Sequence, residues 1–558
     1  MRARGSAVQG QAALARALPA WALELFGWTA ALLLALLAVA HLDATDRSWM
    51  LYYDPETVLP ALVRGSVLAG QPQDWALSAV LFIPEMALYF GLAALGLGVK
   101  GTFALNGVAD FLLLYATLRL VSGAVRPARP HGRRVAGALV AFAAAIGLSL
   151  LDDTAGWDTF EIVSLLATAT FYSMTVLAAI ATTGLVARSL KGQAAGTQAA
   201  GPQAAGRWLA AVLLAVSAVS TLTNPLYLAW EVAPLLVVFA VLGWRRVVGW
   251  VPLARVTAVL AAGAAVGLVG RIPFAALITK DGPAYAKPGQ ALGTAIYYVE
   301  KLADRTSTLP GALSLTPVVA LVIVCVLVFR RAVSRHDASG AVLAGVGWVA
   351  PVGVLVGAVA LGTVGTRYVQ PLFFAPLCLL VLAPELLSTG SARSLRERLP
   401  GWGRRREWRL SARGQRALLA SSAAACLAAS AVVAAQLTSS AGTANADVRC
   451  VDAWVSASHR TGAGRYWTIR GPKAYLGEPS SLIQVDDHFN AYPWLTDRAD
   501  YGRAAVSFVL SDDHYPAPAL PAAAAGAPHR TVSCGRYTIT DYGQDVLAIG
   551  PAHANATP

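Results

Sequence analysis

The chain has 558 residues, of which 56% are hydrophobic and 13% charged, and its mean hydropathy is +0.55. An ordinary soluble enzyme carries nearer a quarter charged residues, and a disordered chain is poorer in apolar residues, so both classes are excluded. Lys+Arg 44 against Asp+Glu 31 gives a net charge of +13. With no clustered basic face on a soluble segment, that excess reads as basic loops on one side of a membrane, not as nucleic-acid binding.

In chain order, residues 1–20 read as a cytoplasmic N-terminal segment. Apolar runs that can cross a bilayer as helices of about 20 residues follow. They are Trp21–Leu42, Thr102–Ala124, Val135–Leu151, Glu161–Ala187, Trp208–Thr223, Ala229–Gly243, Val256–Gly270, Leu315–Phe329, Ala341–Gly362, Tyr368–Leu386 and Ala417–Leu437. Arg2, Arg4 and Arg16 precede the first run, and Arg126, Arg129, Arg133 and Arg134 follow the second. Arg188, Lys191, Arg207, Arg245, Arg246, Arg330, Arg331, Arg335 and the segment Arg393–Arg413 mark further loops expected in the cytoplasm. An even number of crossings must separate two cytoplasmic segments. The apolar run Ala76–Leu97 is therefore expected as a helix on or dipping into the outer face. Pro84 and Glu85 in its middle agree, since a carboxylate near mid-bilayer costs about 2.5–3.5 kcal/mol. Residues 193–206 repeat Gln-Ala-Ala-Gly and read as a flexible cytoplasmic linker.

This topology predicts a multi-pass cell-membrane protein: a transmembrane body over residues 21–437 and an extracytoplasmic C-terminal domain over 438–558. Outer loops at 43–101, 152–160 and 271–314 carry most of the polar residues. Acids gather in the early outer loops (Asp43, Asp46, Asp54, Glu56; Asp152, Asp153, Asp158) and cations in the later ones (Lys280, Lys287, Lys301, Arg305, Arg367). Such a division suits transfer of a sugar from a lipid phosphate. A carboxylate takes the acceptor proton, and cations stabilise charge on the departing phosphate. Solvated surface decoration gives the same charge pattern.

The first outer loop reads Tyr53-Asp54-Pro55-Glu56-Thr57-Val58-Leu59-Pro60-Ala61-Leu62-Val63-Arg64, then Gly70-Gln71-Pro72-Gln73-Asp74-Trp75. It resembles the first loop of GT-C glycosyltransferases such as the protein mannosyltransferases and aminoarabinose transferases. There an acidic pair, an Arg-bearing helix, a Gly turn and an outer juxtamembrane helix follow the first span. Asp152, Asp153 and Asp158 lie where the family places a second acid, and Arg367-Tyr368 with Pro371 is similar to its Arg-Tyr-Pro pattern. Asp-Pro-Glu stands here in place of adjacent Asp-Glu, and Trp75-Ala76-Leu77-Ser78 in place of His-Pro-Pro.

The resemblance implies an all-α polytopic, GT-C-like body of about 11 transmembrane helices with a small C-terminal α/β domain. It implies a glycosyltransferase that uses a polyprenyl-phosphate sugar and a glycan, lipid or protein acceptor at the membrane. Asp54 is then the candidate base, with Asp46 the alternative; Asp54 also fits as a helix N-cap. Glu56 suits a helix N-terminus or a metal. Asp152, Asp153 and Asp158 suit acceptor orientation or a divalent cation, Mg or Mn. Arg367 and Tyr368, and more weakly Lys280 and Lys287, suit the donor phosphate. The other function classes left open are a transporter or flippase of a lipid-linked glycan and a non-catalytic scaffold.

In the C-terminal segment, Cys450 and Cys534 pair in an oxidising compartment, while Cys325, Cys378 and Cys426 read as core hydrophobes. Asp452–Ser458 is expected as a helix. Ala463–Arg470, Ser481–Val485, Ala504–Leu510, Arg530–Ser533, Tyr537–Thr540 and Asp545–Ile549 are expected as strands. Tyr466, Trp467, Tyr492 and Trp494 suit either this domain's core or stacking on sugars.

Overall fold

Backbone polar groups in a bilayer must pair within their own segment, so long apolar runs become helices. The structure, a computed structural model, describes residues 19–191, 203–279, 286–386, 412–441 and 444–552. Among the described residues, ten helices are long and apolar enough to cross a membrane. They are Ala20–Ala44, Gly98–Val125, His131–Ser149, Ser173–Lys191, Gly206–Thr223, Trp250–Phe274, Leu309–Ser334, Ala338–Leu361, Thr366–Glu385 and Ala420–Ser440. The run expected at Ala229–Gly243 is the shorter helix Leu228–Trp244. Asn224 and Pro225 break the chain before it, and its first turn, Leu228–Val232, is π-helical. The linker expected at 193–206 and the basic segment at 393–413 fall largely outside the described residues.

Hydrogen bonds and ion pairs sort the helix ends into two sets. At one end Arg119 holds Glu24, Arg126 holds Asp337, and Lys191 donates to the Val125 carbonyl. At the other, Lys100 donates to the Ser440 carbonyl, Lys287 N–H to that of Leu361, and Arg271 to those of Leu222 and Ala79. The arginine-rich turns lie at the first end and the C-terminal domain at the second. Small residues set the closest helix pair. A Cβ on Gly263 would come within 2.5 Å of the Leu214 carbonyl oxygen, and Gly267 meets Ala218 in the same way one turn on. Such spacing lets backbones approach directly.

The run Ala76–Leu97 differs from the expected continuous helix. Trp75–Ala76 is a strand, β1, and the helix covers only Ile83–Ala93. The intervening residues are drawn out by partners elsewhere in the chain. Leu77 N–H donates to the Leu277 carbonyl at 2.6 Å, and Leu81 N–H to that of Thr223 at 2.8 Å.

The C-terminal domain has a mixed five-stranded sheet. With β2 at Gly462–Arg465, β3 at Leu482–Val485, β4 at Thr496–Asp497, β5 at Ala505–Val506, β6 at Phe508–Asp512, β7 at Arg530–Cys534, β8 at Tyr537–Asp541 and β9 at Leu547–Ala548, its order is β3-β2-β6-β8-β7. β2 runs parallel to β3 and β6, and β8 antiparallel to β6 and β7. Helix Ala446–Ser458 packs on the sheet, capped by Asn445, whose side chain accepts from Val448 N–H. A disulfide joins Cys450 of that helix to Cys534 of β7. The strand expected over Ala463–Arg470 stops at Arg465, and Tyr466–Lys473 is a helix instead. That helix is held against the first outer loop, as described below. The domain also pairs with the membrane body: β1 and β4 are antiparallel, with Trp75 opposite Asp497 and Ala76 opposite Thr496.

One buried cluster ties the outer segments of the body together. Arg305 lies 2.6 Å from Glu161 Oε1 and 3.2 Å from Asp152 Oδ1. Arg47 donates to Ser164 Oγ at 2.9 Å and to the backbone carbonyls of Thr154, Gly156 and Glu161. Asp152 Oδ2 accepts from Ser164 N–H at 3.0 Å. Glu161 and Asp152 side chains are almost fully enclosed, so removing one partner strands a charge away from water. Arg305→Ala is expected to cost about 3–5 kcal/mol. Thermal unfolding of the purified protein in detergent checks this, with Lys301→Ala, a more exposed cation on the same helix, shifting the midpoint far less.

Candidate functional site

The first outer loop turns tightly after its short helix Ser48–Tyr52. Asp54 Oδ1 accepts from the backbone N–H of Glu56 at 2.9 Å and of Thr57 at 3.1 Å. These bonds close a turn at residues 54–57, and the helix Leu59–Leu68 follows, with Val58 as its N-cap and Pro60 in its first turn. Asp54 is buried, and burial pushes its carboxyl up to about 7. The Glu56 carboxylate adds to that rise, while the two N–H donors and the Arg367 charge oppose it.

The C-terminal helix Tyr466–Lys473 clamps this turn. Arg470 donates to the carbonyl of Pro55 at 2.6 Å and also to that of Leu495. Tyr475 donates to the Tyr52 carbonyl at 2.9 Å, and Tyr53 OH accepts from Asn445 N–H. The apolar faces of Tyr53 and Tyr475 meet at 5.2 Å between ring centres.

Arg367 sits where the last outer segment enters its span. Its guanidinium pairs with Glu56 and lies 3.3 Å from Tyr368 OH. It also lies 5.0 Å from the Trp157 ring centre and 5.2 Å from that of Tyr368, within cation–π range. Asp158 fixes the backbone beside it. Its Oδ1 accepts from Thr366 N–H at 3.2 Å and from Tyr297 OH, and its Oδ2 lies 3.3 Å from Lys301.

Around Arg367 and Glu56 opens a cavity of about 280 Å³. Lys287 and Gln290 form part of its wall, Trp157 and Tyr368 another part, and Tyr466, Trp467, Tyr492 and Trp494 of the C-terminal domain the rest. Thr363 and Tyr368 also line a second, largely apolar groove of about 350 Å³ between the helices. Its other walls include Tyr172, Leu226, Trp230, Gly353, Gly357 and Leu361. Trp230 is fixed by an N–H donated to the Tyr368 carbonyl at 3.0 Å, from the π-helical turn. A cationic, aromatic chamber thus lies beside an apolar slot between the helices, with Thr363 and Tyr368 in both walls.

Of the residues singled out from sequence, Glu56, Arg367, Tyr368 and Lys287 line one cavity, and Asp54 is buried two residues from Glu56 without lining it. Asp158 holds the Thr366–Arg367 segment. Asp152 does not reach the cavity; it is taken up by Arg305 and Ser164. Asp46 and Asp153 are exposed and do not line it. Lys280 lies outside the described residues. Among the described residues, one group of three acid or histidine side chains stands close enough to share a metal ion, Asp486, Asp487 and His488. Asp486 there is already used by its own turn, accepting from His488 and Asn490 N–H. The cavity wall itself offers one carboxylate, Glu56. Sequence reasoning missed that the C-terminal domain closes the chamber. The available signal was the close spacing of Tyr466 with Trp467 and of Tyr492 with Trp494.

No known family profile matches the sequence, and no curated protein matches it. Solved structures do match in shape. ArnT from Cupriavidus metallidurans bound to undecaprenyl phosphate aligns with a TM-score of 0.50 at 15% identity, over 92% of this chain and 98% of that one. The fold is GT-C-like. The apo oligosaccharyltransferase of Archaeoglobus fulgidus aligns with a TM-score of 0.47 at 12% identity, over 86% of this chain and 69% of that one. The GT-C-like fold and the long apolar helices agree with a multi-pass membrane protein.

The rise expected for the Asp54 carboxyl has a direct test. A pH titration by infrared difference spectroscopy is expected to show a protonated-carboxyl band with a midpoint near 7. Asp54→Asn is expected to remove that component and leave the rest of the titration in place.

Proposed function

We propose that this protein is a membrane glycosyltransferase that moves a sugar from a polyprenyl-phosphate donor to an acceptor on the outer side of the membrane. The observation that carries this reading is that a cationic, aromatic chamber and an apolar groove between the helices share Thr363 and Tyr368 in their walls. An apolar prenyl chain suits the groove between spans. Its phosphate then arrives at Arg367 and Lys287, and its sugar faces the aromatic wall. The ArnT structure binds undecaprenyl phosphate, a lipid of this shape and charge. The basic end of the bundle is read as cytoplasmic by the positive-inside bias, which puts the chamber and the C-terminal domain outside.

In this mechanism Asp54 is the general base. Its carboxyl, held near neutral pKa by burial, is matched to accept a proton at physiological pH. Two backbone N–H groups fix one of its oxygens. The acceptor hydroxyl attacks the anomeric carbon, the carbon–oxygen bond to phosphate breaks, and the hydroxyl proton passes to Asp54. Arg367 and Lys287 stabilise the phosphate as it leaves with the bonding electrons. Glu56 holds Arg367 in place before the donor arrives, and Asp158 positions the backbone that carries it. The acceptor is an extracytoplasmic glycan, lipid or protein. Any divalent cation in the chamber would take Glu56 and the donor phosphate as ligands.

Transfer of radiolabelled sugar from polyprenyl-phosphate donors, measured in membranes, tests the reading. Asp54→Asn is expected to lower the rate by about 10²–10⁴ at equal expression. Arg367→Ala is expected to lose about 10²–10³ in rate and to weaken binding of undecaprenyl phosphate. A carboxylate base is active only when ionised, so wild-type transfer is expected to rise with pH through about 7. Transfer undiminished in Asp54→Asn would remove Asp54 as the base. No transfer from any such donor would remove the glycosyltransferase reading.

A further inference from the structure

At the arginine-rich end of the bundle, opposite the sugar-transfer chamber, lies a separate cavity of about 280 Å³. Leu327, Val328 and Arg331 of helix Leu309–Ser334, with Arg335 at its C-cap, line one side, and Arg126, Asp337 and Glu385 line the other. Both acids already have partners. Arg126 lies 2.6 Å from Asp337 Oδ2 and 3.3 Å from Glu385 Oε2, and Arg129 lies 2.6 Å from Glu385 Oε1. Asp337 also accepts from Gly340 N–H, capping the next span. Two arginines thus balance two acids. Arg331 and Arg335 remain as surplus positive charge, both exposed and without an acidic partner among the described residues.

The surface leading to these two arginines has a definite shape. Val319, Ile323 and Leu327 are 54%, 56% and 57% exposed. Together with Arg331 and Arg335 they recur every four residues, so all five follow one ridge of the helix. Three apolar side chains followed by two guanidiniums match a chain of hydrocarbon followed by an anion. Basic pockets between spans recognise lipid headgroups in this way.

We propose that this cavity is a binding site for an anionic phospholipid, with the headgroup phosphate against Arg331 and Arg335 and an acyl chain along Leu327, Ile323 and Val319. Charge complementarity selects the lipid: a zwitterionic headgroup leaves the surplus charge uncompensated, and a free phosphate leaves the apolar ridge unused. The site is independent of the chemistry assigned to the outer chamber.

The test uses the purified full-length protein, with lipid retention read by native mass spectrometry. Phosphatidylglycerol is titrated against phosphatidylcholine, and inorganic phosphate is added as competitor. The double variant R331Q/R335Q is expected to bind phosphatidylglycerol about thirtyfold more weakly, the factor implied by about 1 kcal/mol per basic residue. Leu327→Ser is expected to weaken it severalfold without changing the charge. R245Q/R246Q, two exposed arginines elsewhere at the same end, is expected to change nothing, and all variants are checked for an unaltered thermal midpoint. Equal retention in R331Q/R335Q, an equal loss in R245Q/R246Q, or phosphatidylcholine bound as tightly would overturn the proposal. Displacement of the lipid by millimolar phosphate, with Leu327→Ser indistinguishable from wild type, would replace it with a simple anion site.

Discussion

The end of the molecule that bears the chamber hangs on four buried charged side chains. Arg47 comes from the first outer loop, Asp152 and Glu161 from the second, and Arg305 from the helix Ala291–Thr306. Burying charge is costly unless every partner is present, so the three segments are held in one arrangement or none. The consequence reaches the chamber. Asp152 and Glu161 bracket the loop that carries Trp157 and Asp158. Trp157 lies under the Arg367 guanidinium, and Asp158 receives the N–H of Thr366. The position of the principal cation in the chamber is therefore set two contacts away, by a cluster that never touches it.

A second line of contacts couples the chamber to the C-terminal domain. Trp157 stacks on Trp467 with ring centres 5.8 Å apart and planes 2° apart, and Trp467 stacks on Tyr515 at 6.0 Å. Arg536 lies 5.8 Å from the Tyr515 ring centre and 3.6 Å from that of Trp49. The series begins at Arg367 and ends at Trp49 in the first outer loop. Three stacked rings lie between its two planar cations, and each cation is attracted to the ring beside it through the ring quadrupole. Arg470 adds a direct clamp on Pro55. The C-terminal domain is thus a structural wall of the chamber and not an appendage on a tether.

The membrane body was legible because its determinants are local. Runs of Leu, Val and Ala give the long apolar helices. The segment from Tyr53 to Trp75 and the Arg367-Tyr368 pair marked parts of the chamber, since each motif is contiguous. Determinants that lie far apart in the chain were not legible. Nothing in the two residues Trp75-Ala76 announces a strand, because its partner is β4. Ala463–Arg470 alternates well enough for a strand, yet Tyr466–Lys473 is helical, and its Arg470 reaches the first outer loop. Asp152 looked like a free acid because Arg305, its partner, lies 153 residues away. Asp54 reads as both a cap and a base from sequence; in the structure one of its oxygens closes the turn before Leu59–Leu68, and burial raises its carboxyl.

The pairing of β1 with β4 also imposes an order of events. Asp74 N–H donates to Asp497, 423 residues further along the chain. At translation rates of about 5–20 residues per second, the first outer loop waits on the order of tens of seconds for that partner. During that interval every later span must be inserted, and Trp75 has no strand beside it. The chamber consequently acquires its walls last. A ribosome that stops before Asp497 leaves the helical body in place but without the domain surface that closes the chamber. Completion of the chamber is in this way tied to synthesis of the last part of the chain.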